Sequence, residues 1–130
     1  MIYGIGVDIV KISRIQDAVE RWGDEFLRKV YTANEIQYCY TKHVPFLSLA
    51  VRFAAKEALI KAISSEIKVS LRDIEVVTSD VGRPYLRFYG MLKNFLSERN
   101  ISGVHLSLSH EKEFGIASVV LEGMNNVSEG

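Results

Sequence analysis

Cysteine is nearly absent from this 130-residue chain. Cys39 stands alone, so no disulfide can form within the chain, and a reducing compartment suits it. Net charge is absent as well. Sixteen lysines and arginines balance 16 aspartates and glutamates, which removes any global attraction to nucleic acid or to a membrane. Electrostatic recognition must therefore be local. No apolar run is long enough to cross a bilayer. Asp8 interrupts the first apolar stretch and no basic region precedes it, so no secretory signal is expected. The glycosylation triplet Asn126-Val127-Ser128 carries no weight without secretion. The expected setting is the cytoplasm. Cys39 and the three histidines lack zinc-ligand spacing, so a zinc site is not expected. Gly4 and Gly6 begin no dinucleotide fingerprint, because the third glycine position is Ile9. Ser107-Leu-Ser-His110 is not a nucleophile elbow.

What remains has the composition of a globular domain, 48% hydrophobic and 25% charged. The length supports one core and is too short for two. A single domain over residues 1–123 is expected, followed by a polar tail at 124–130. Met1 to Val10 reads as a strand with Ile5, Val7 and Ile9 on one face and Gly4, Gly6 and Asp8 on the other. Ser13 is placed to cap a helix to Trp22 that Gly23 ends. A short helix over Glu25–Lys29 follows. Thr32 then caps another, with Glu35 at the capping-box position. Pro45 opens a long helix to about Ile63. Strands are expected over Ile74–Thr78, Tyr85–Phe88, Val104–Ser109 and Phe114–Glu122, with a helix over Gly90–Arg99. Helices in the first half and hairpins in the second define an α+β class: a small antiparallel sheet packed on the long helix.

Two carboxylates stand out. Glu57 lies on a helical stripe with Phe53, Ala54 and Ile60, where burial is costly without a cation. Asp8 shares its strand face with two glycines, which lets another element or a ligand approach closely. Taken singly, each has an ordinary reading: Asp8 as a cap for the next helix, Glu57 as a salt bridge to Lys61. Taken together, they suit magnesium, which usually takes one or two protein carboxylates plus substrate phosphates. Lys61 could then neutralise a phosphate. His110 ends its strand on the face of Leu106 and Leu108, either as a satisfied core residue or reaching a cleft. Arg14, Arg21 and Arg28 recur every seven residues, forming either one basic stripe for an acidic partner or a solvated face.

Three blocks in order resemble one family: Gly4-Ile-Gly-Val-Asp-Ile-Val10, Arg52-Phe-Ala-Ala-Lys-Glu-Ala58 with Lys61, and Ser107-Leu-Ser-His110 with Ala117. Asp73-Ile-Glu-Val76 and Gly82-Arg-Pro84 lie between them. The pattern, covering nearly the whole chain, resembles the holo-[acyl-carrier-protein] synthase type of 4'-phosphopantetheinyl transferase. The resemblance implies that fold and a trimer with each site at a subunit interface. It implies magnesium-dependent transfer of phosphopantetheine from coenzyme A to a serine of apo acyl carrier protein, in support of fatty acid biosynthesis, releasing adenosine 3',5'-bisphosphate. It further implies that Asp8 and Glu57 hold magnesium and that Lys61 steadies the same phosphates, these three forming the catalytic set. Arg52, His110, Lys42 and His43 would lie near the nucleotide, and Gly82, Arg83 and Pro84 would line the adenine pocket. Arg14 and Arg21, and with them Arg28, would face the carrier protein. The serine proton would go to a metal-held water or to Glu57 itself.

Several positions depart from the family pattern. Val51 replaces a common glycine, Ser64-Ser65 a glycine-containing helix end, Leu71 an aromatic and Lys11 an acidic residue. None touches the metal carboxylates. Two rival readings remain: a silent domain that binds coenzyme A or a carrier without transfer, and a structural oligomer whose carboxylates only form salt bridges.

Overall fold

A computed structural model describes residues 1–124; apart from Met124, the expected polar tail and the Asn126 triplet lie outside the described residues. Ten elements of helix or strand follow one another as β1 (Ile2–Lys11), α1 (Ile12–Trp22), α2 (Asp24–Val30), α3 (Ala33–Cys39), α4 (Pro45–Ala62), β2 (Ile74–Thr78), β3 (Pro84–Phe88), α5 (Gly90–Glu98), β4 (Ile101–His110) and β5 (Phe114–Gly123), with a 3-10 turn at Leu71–Asp73 before β2. Three strands form an antiparallel sheet in the order β1-β5-β4, and β2 and β3 form a separate antiparallel hairpin. The class is α+β, as expected.

The glycines of β1 set the distance between sheet and helix. A Cβ on Gly4 would collide with the carbonyl oxygen of Ala62, and one on Gly6 with that of Ala58. Only residues without side chains let α4 lie this close. Alanines at positions 50, 54, 55, 58 and 62 make the helix side of the contact, and Ala117, Val119 and Leu121 of β5 complete the buried layer. The room left by Gly4 and Gly6 is thus taken by α4. Ile5, Val7 and Ile9 point the other way and are 64%, 58% and 58% exposed. Pairing of Ile5 with Val120 and Ile9 with Ile116 extends this apolar surface across the sheet.

Three local expectations change. Ser13 does not cap α1; Lys11 is the N-cap, with no side-chain bond, and the Ile12 amide donates to the Glu113 carbonyl at 2.9 Å. Strand and helix are continuous there, so the β4–β5 turn supplies the missing acceptor. For the same reason Asp8 is no helix cap. Gly23, at φ +53, breaks the chain between α1 and α2, so Arg14, Arg21 and Arg28 do not share one helix. Thr32 and Glu35 do form the reciprocal capping box, at 3.2 and 2.9 Å. Pro45 occupies the first turn of α4, and the helix ends through Ser64 and Ser65, both at positive φ.

Candidate active site

Asp8 and Glu57 come together because β1 crosses α4 at its glycine face. The Lys61 ammonium lies 2.8 Å from Asp8 Oδ1 and donates to the Val7 carbonyl at 3.0 Å. The lysine therefore pairs across to the strand rather than along the helix to Glu57. Burial pushes the Glu57 carboxyl above its ordinary range; the negative charge of Asp8 adds to the rise and Lys61 opposes it. Glu57 is therefore a carboxylate short of positive charge. Two hard oxygen donors in this state fit a magnesium ion, which completes its shell with water and phosphate oxygens. No cluster of three or more His, Cys, Asp or Glu side chains capable of enclosing a metal occurs among the described residues.

A cavity of about 380 Å³ has Tyr38, Arg52, Thr78, Gly82, Pro84 and His110 among its lining. Asp8 pairs with Ala117, and Ala117 pairs with Leu108, which also lines the cavity. Two strand spacings put the Asp8 and Leu108 backbones about 10 Å apart. Arg52 is 4% exposed. Its guanidinium donates to Ser48 Oγ at 2.8 Å and Thr78 Oγ1 at 3.2 Å, and it stacks over the Tyr38 ring at 4.5 Å. Its Nε has no partner among the described residues. A buried cation with an unused donor beside a cavity suits an anionic ligand. Lys42 sits over the Tyr38 ring at 4.6 Å. The Tyr38 hydroxyl is held below its ordinary range, first by a hydrogen bond with Thr78, then, against burial, by Lys42 and Arg52.

The expected nucleotide residues thus divide. Arg52, His110, Gly82 and Pro84 line one cavity, and Lys42 reaches it through Tyr38. Arg83 and His43 are exposed and are not among its lining residues. His110 is exposed too, so its reading as a satisfied core residue is set aside. Arg14, Arg21 and Arg28 are exposed on α1 and α2, and none of them lines the cavity. Beside Arg21, which stacks on Trp22 at 5.2 Å, lies a hollow of about 250 Å³ lined by Trp22, Glu25, Phe26 and Lys29.

Sequence reasoning did not find Tyr38, Ser48 and Thr78, which hold Arg52. It also did not find the buried charges behind them. The Lys56 ammonium meets Glu35 Oε1 at 2.7 Å with no exposed surface on either side chain, and Glu75 is 2% exposed. One signal was available: Arg52 and Lys56 are cations four apart on a largely apolar helix, a spacing that puts both on one face beside the core and calls for buried partners.

The sequence profile described as "4'-phosphopantetheinyl transferase superfamily" matches residues 4–117. The chain belongs to this superfamily and is an enzyme of its holo-[acyl-carrier-protein] synthase group. It is 48% identical to the holo-[acyl-carrier-protein] synthase of Halothermothrix orenii over 123 residues, covering 94% of this chain and 98% of that protein. The crystal structure of holo-[acyl-carrier-protein] synthase from Neisseria meningitidis superposes with a TM-score of 0.87 at 38% identity, covering 94% of this chain and 99% of that one. The Helicobacter pylori enzyme in complex with coenzyme A gives a TM-score of 0.80 at 35% identity, covering 91% and 99% of the two chains.

Proposed function

We propose that this enzyme moves 4'-phosphopantetheine from coenzyme A to a serine of apo acyl carrier protein in the cytoplasm, with magnesium, as a step that supports fatty acid biosynthesis. Residues 1–123 act as the single transferase domain. The observation that carries the reading is the meeting of Asp8, Glu57 and Lys61 two strands from Leu108 in the lining of a cavity walled by Arg52, in a chain of this family. Phosphoryl transfer asks mainly for positioning and charge neutralisation, and these residues supply both.

Asp8 and Glu57 would hold magnesium, which when bound neutralises charge on the diphosphate of coenzyme A. Lys61 adds a cation at the same end, half exposed and free to turn from Asp8 to a phosphate oxygen. Arg52 and His110 face the nucleotide and its 3'-phosphate, Gly82 and Pro84 wall the adenine, Arg83 flanks that turn, and Lys42 and His43 stand at the rim. The serine oxygen forms a bond to the phosphorus that carries the pantetheine arm. The bond from that phosphorus to the bridging oxygen breaks, releasing adenosine 3',5'-bisphosphate. The serine proton would go to Glu57 or to a metal-held water.

Arg14, Arg21 and Arg28 offer an acidic carrier three exposed cations, with the Trp22–Phe26 hollow between the helices as an apolar contact. The exposed Ile5, Val7 and Ile9 face supports a homotrimer, since an apolar sheet surface of this kind seeks a partner.

Intact-protein mass spectrometry tests the function. Apo acyl carrier protein incubated with this enzyme and coenzyme A gains one phosphopantetheine with magnesium and none with a chelator. Coenzyme A binding without any mass gain, on a carrier that another transferase modifies, would return the chain to the silent-binder reading.

A further inference from the structure

We propose that Glu75 is a positioning residue for the nucleotide half of the site: by tying β2 to the start of α3, it fixes where the β2–β3 hairpin holds Thr78, Gly82 and Pro84 against Arg52. This rests on the nucleotide reading given above.

The hairpin needs such a tie. Its two strands pair only with each other and not with the main sheet. A two-stranded ribbon is marginal alone, so its place depends on what grips it. Glu75 is the second residue of β2, between Ile74 and Val76, a buried carboxylate where an apolar residue would ordinarily serve. Its Oε2 accepts the Thr32 hydroxyl at 2.5 Å and its Oε1 accepts the Tyr89 hydroxyl at 2.7 Å. Thr32 is the N-cap of α3, and its Oγ1 also accepts the Glu35 amide, so one hydroxyl joins the hairpin to the helix start. Tyr89 follows β3, so the same carboxylate grips the far end of the ribbon. Burial alone would raise the Glu75 carboxyl; hydrogen bonds from Thr32, Tyr89 and Asn34, with the Arg87 charge, outweigh it and hold the group below its ordinary range.

The tie bears on the ligand side through a shared wall. Glu75 lines a hollow of about 200 Å³ together with Tyr38, Arg52 and Thr78. Those three residues also line the 380 Å³ cavity. They therefore separate the two spaces, and Glu75 stands behind them. Thr78, three residues along β2, accepts from Arg52, and the chain then turns through Gly82 to Pro84. A shift of β2 moves this whole side of the cavity. It leaves Asp8, Glu57 and Lys61, which belong to β1 and α4, where they are.

The test compares the wild type with Glu75→Ala, Glu75→Gln and Tyr89→Phe. It measures kcat, KM for coenzyme A, KM for the carrier, and Kd for adenosine 3',5'-bisphosphate by calorimetry. In Glu75→Ala both KM for coenzyme A and Kd rise about tenfold, as loss of charge-assisted hydrogen bonds would give. Glu75→Gln and Tyr89→Phe rise less. At saturating coenzyme A, kcat stays within about twofold and KM for the carrier does not move. If Glu75→Ala does not fold, the two milder variants decide. Unchanged KM and Kd in those two overturn the proposal, as do equal losses toward both substrates. A wild type that transfers nothing and binds no bisphosphate overturns the function itself, and this proposal with it; an active wild type with indifferent variants overturns the positioning role alone.

Discussion

Lys56 Nζ lies 2.7 Å from Glu35 Oε1 in the interior between α3 and α4, and neither side chain reaches solvent. Removing two charges from water costs several kcal/mol each, so the pair survives only with complete hydrogen bonding. It has that. Lys56 also donates to the carbonyls of Leu71 and Ile74, and Glu35 Oε2 accepts the Val76 amide at 2.9 Å. Burial pushes the Lys56 ammonium below its ordinary range, and Glu35 pulls it back. Lys56→Met would leave Glu35 a buried, unpaired anion. We expect a loss of about 3–5 kcal/mol in urea unfolding. A loss under about 1 kcal/mol would mean that the Glu35 carboxylate finds water in the variant.

Glu57 illustrates the opposite balance. Its carboxyl is raised by burial and by Asp8, so at neutral pH the fold carries an unfavourable charge there. Glu57→Gln should be more stable than wild type in chelator, while losing transfer. If Asp8 and Glu57 hold magnesium in the folded state, the ion should raise the melting temperature of the wild type and leave Glu57→Gln unmoved. Scanning calorimetry of both proteins with and without the ion checks this. Equal magnesium stabilisation of the two would remove Glu57 from the metal site.

Acid should act through Glu75. Its folded-state pKa lies below the ordinary 4.5, so the folded state releases this proton more readily than the unfolded chain. The resulting stabilisation is fully present above 4.5 and fades as pH falls through the lowered value. Wild type should therefore exceed Glu75→Gln in stability at pH 7, and the gap should narrow only below 4.5. Urea titrations at several pH values measure the gap directly. A gap that is constant down to strongly acidic pH would mean that the carboxylate charge contributes nothing.

Much of this was legible in the chain itself. Period-two and helical patterns, together with cap and turn residues, marked the strands and helices, because these signals are local to each element. Gly4 and Gly6 announced the close approach that brings Asp8 to Glu57, and Thr32 with Glu35 announced a helix start. The Lys61–Asp8 pair was not legible, since a helix spacing of four favours Glu57 as partner and only the crossing of β1 supplies the alternative. Ser13 misled for a similar reason: its side chain fits a cap, but the Glu113 carbonyl arrives from a turn a hundred residues away. Thr78 and Tyr38 carry no local mark, and Glu75 is marked only as part of the Asp73-Ile-Glu-Val76 block. Their roles come from a hairpin folding back onto α3 and α4, and such long-range contacts leave no periodic trace.

The apolar outer face of the sheet yields the last prediction. Val7 is 58% exposed, between Ile5 and Ile9, and its pairing with Ser118, in turn paired with Ser107, puts it on the face away from α4. A lysine there would meet no protein in an isolated protomer, so the fold should be unaffected and surface effects should stay within about 0.5 kcal/mol. In a trimer built on this face the same lysine would be desolvated without a partner, a cost of several kcal/mol at each contact. Val7→Lys should therefore sediment as a monomer with native circular dichroism while the wild type sediments as a trimer. Its activity should fall as well, because a site shared between subunits is incomplete in one protomer. A Val7→Lys protein that stays trimeric would move the interface off this face, and a monomer with full activity would show that one protomer carries a whole site.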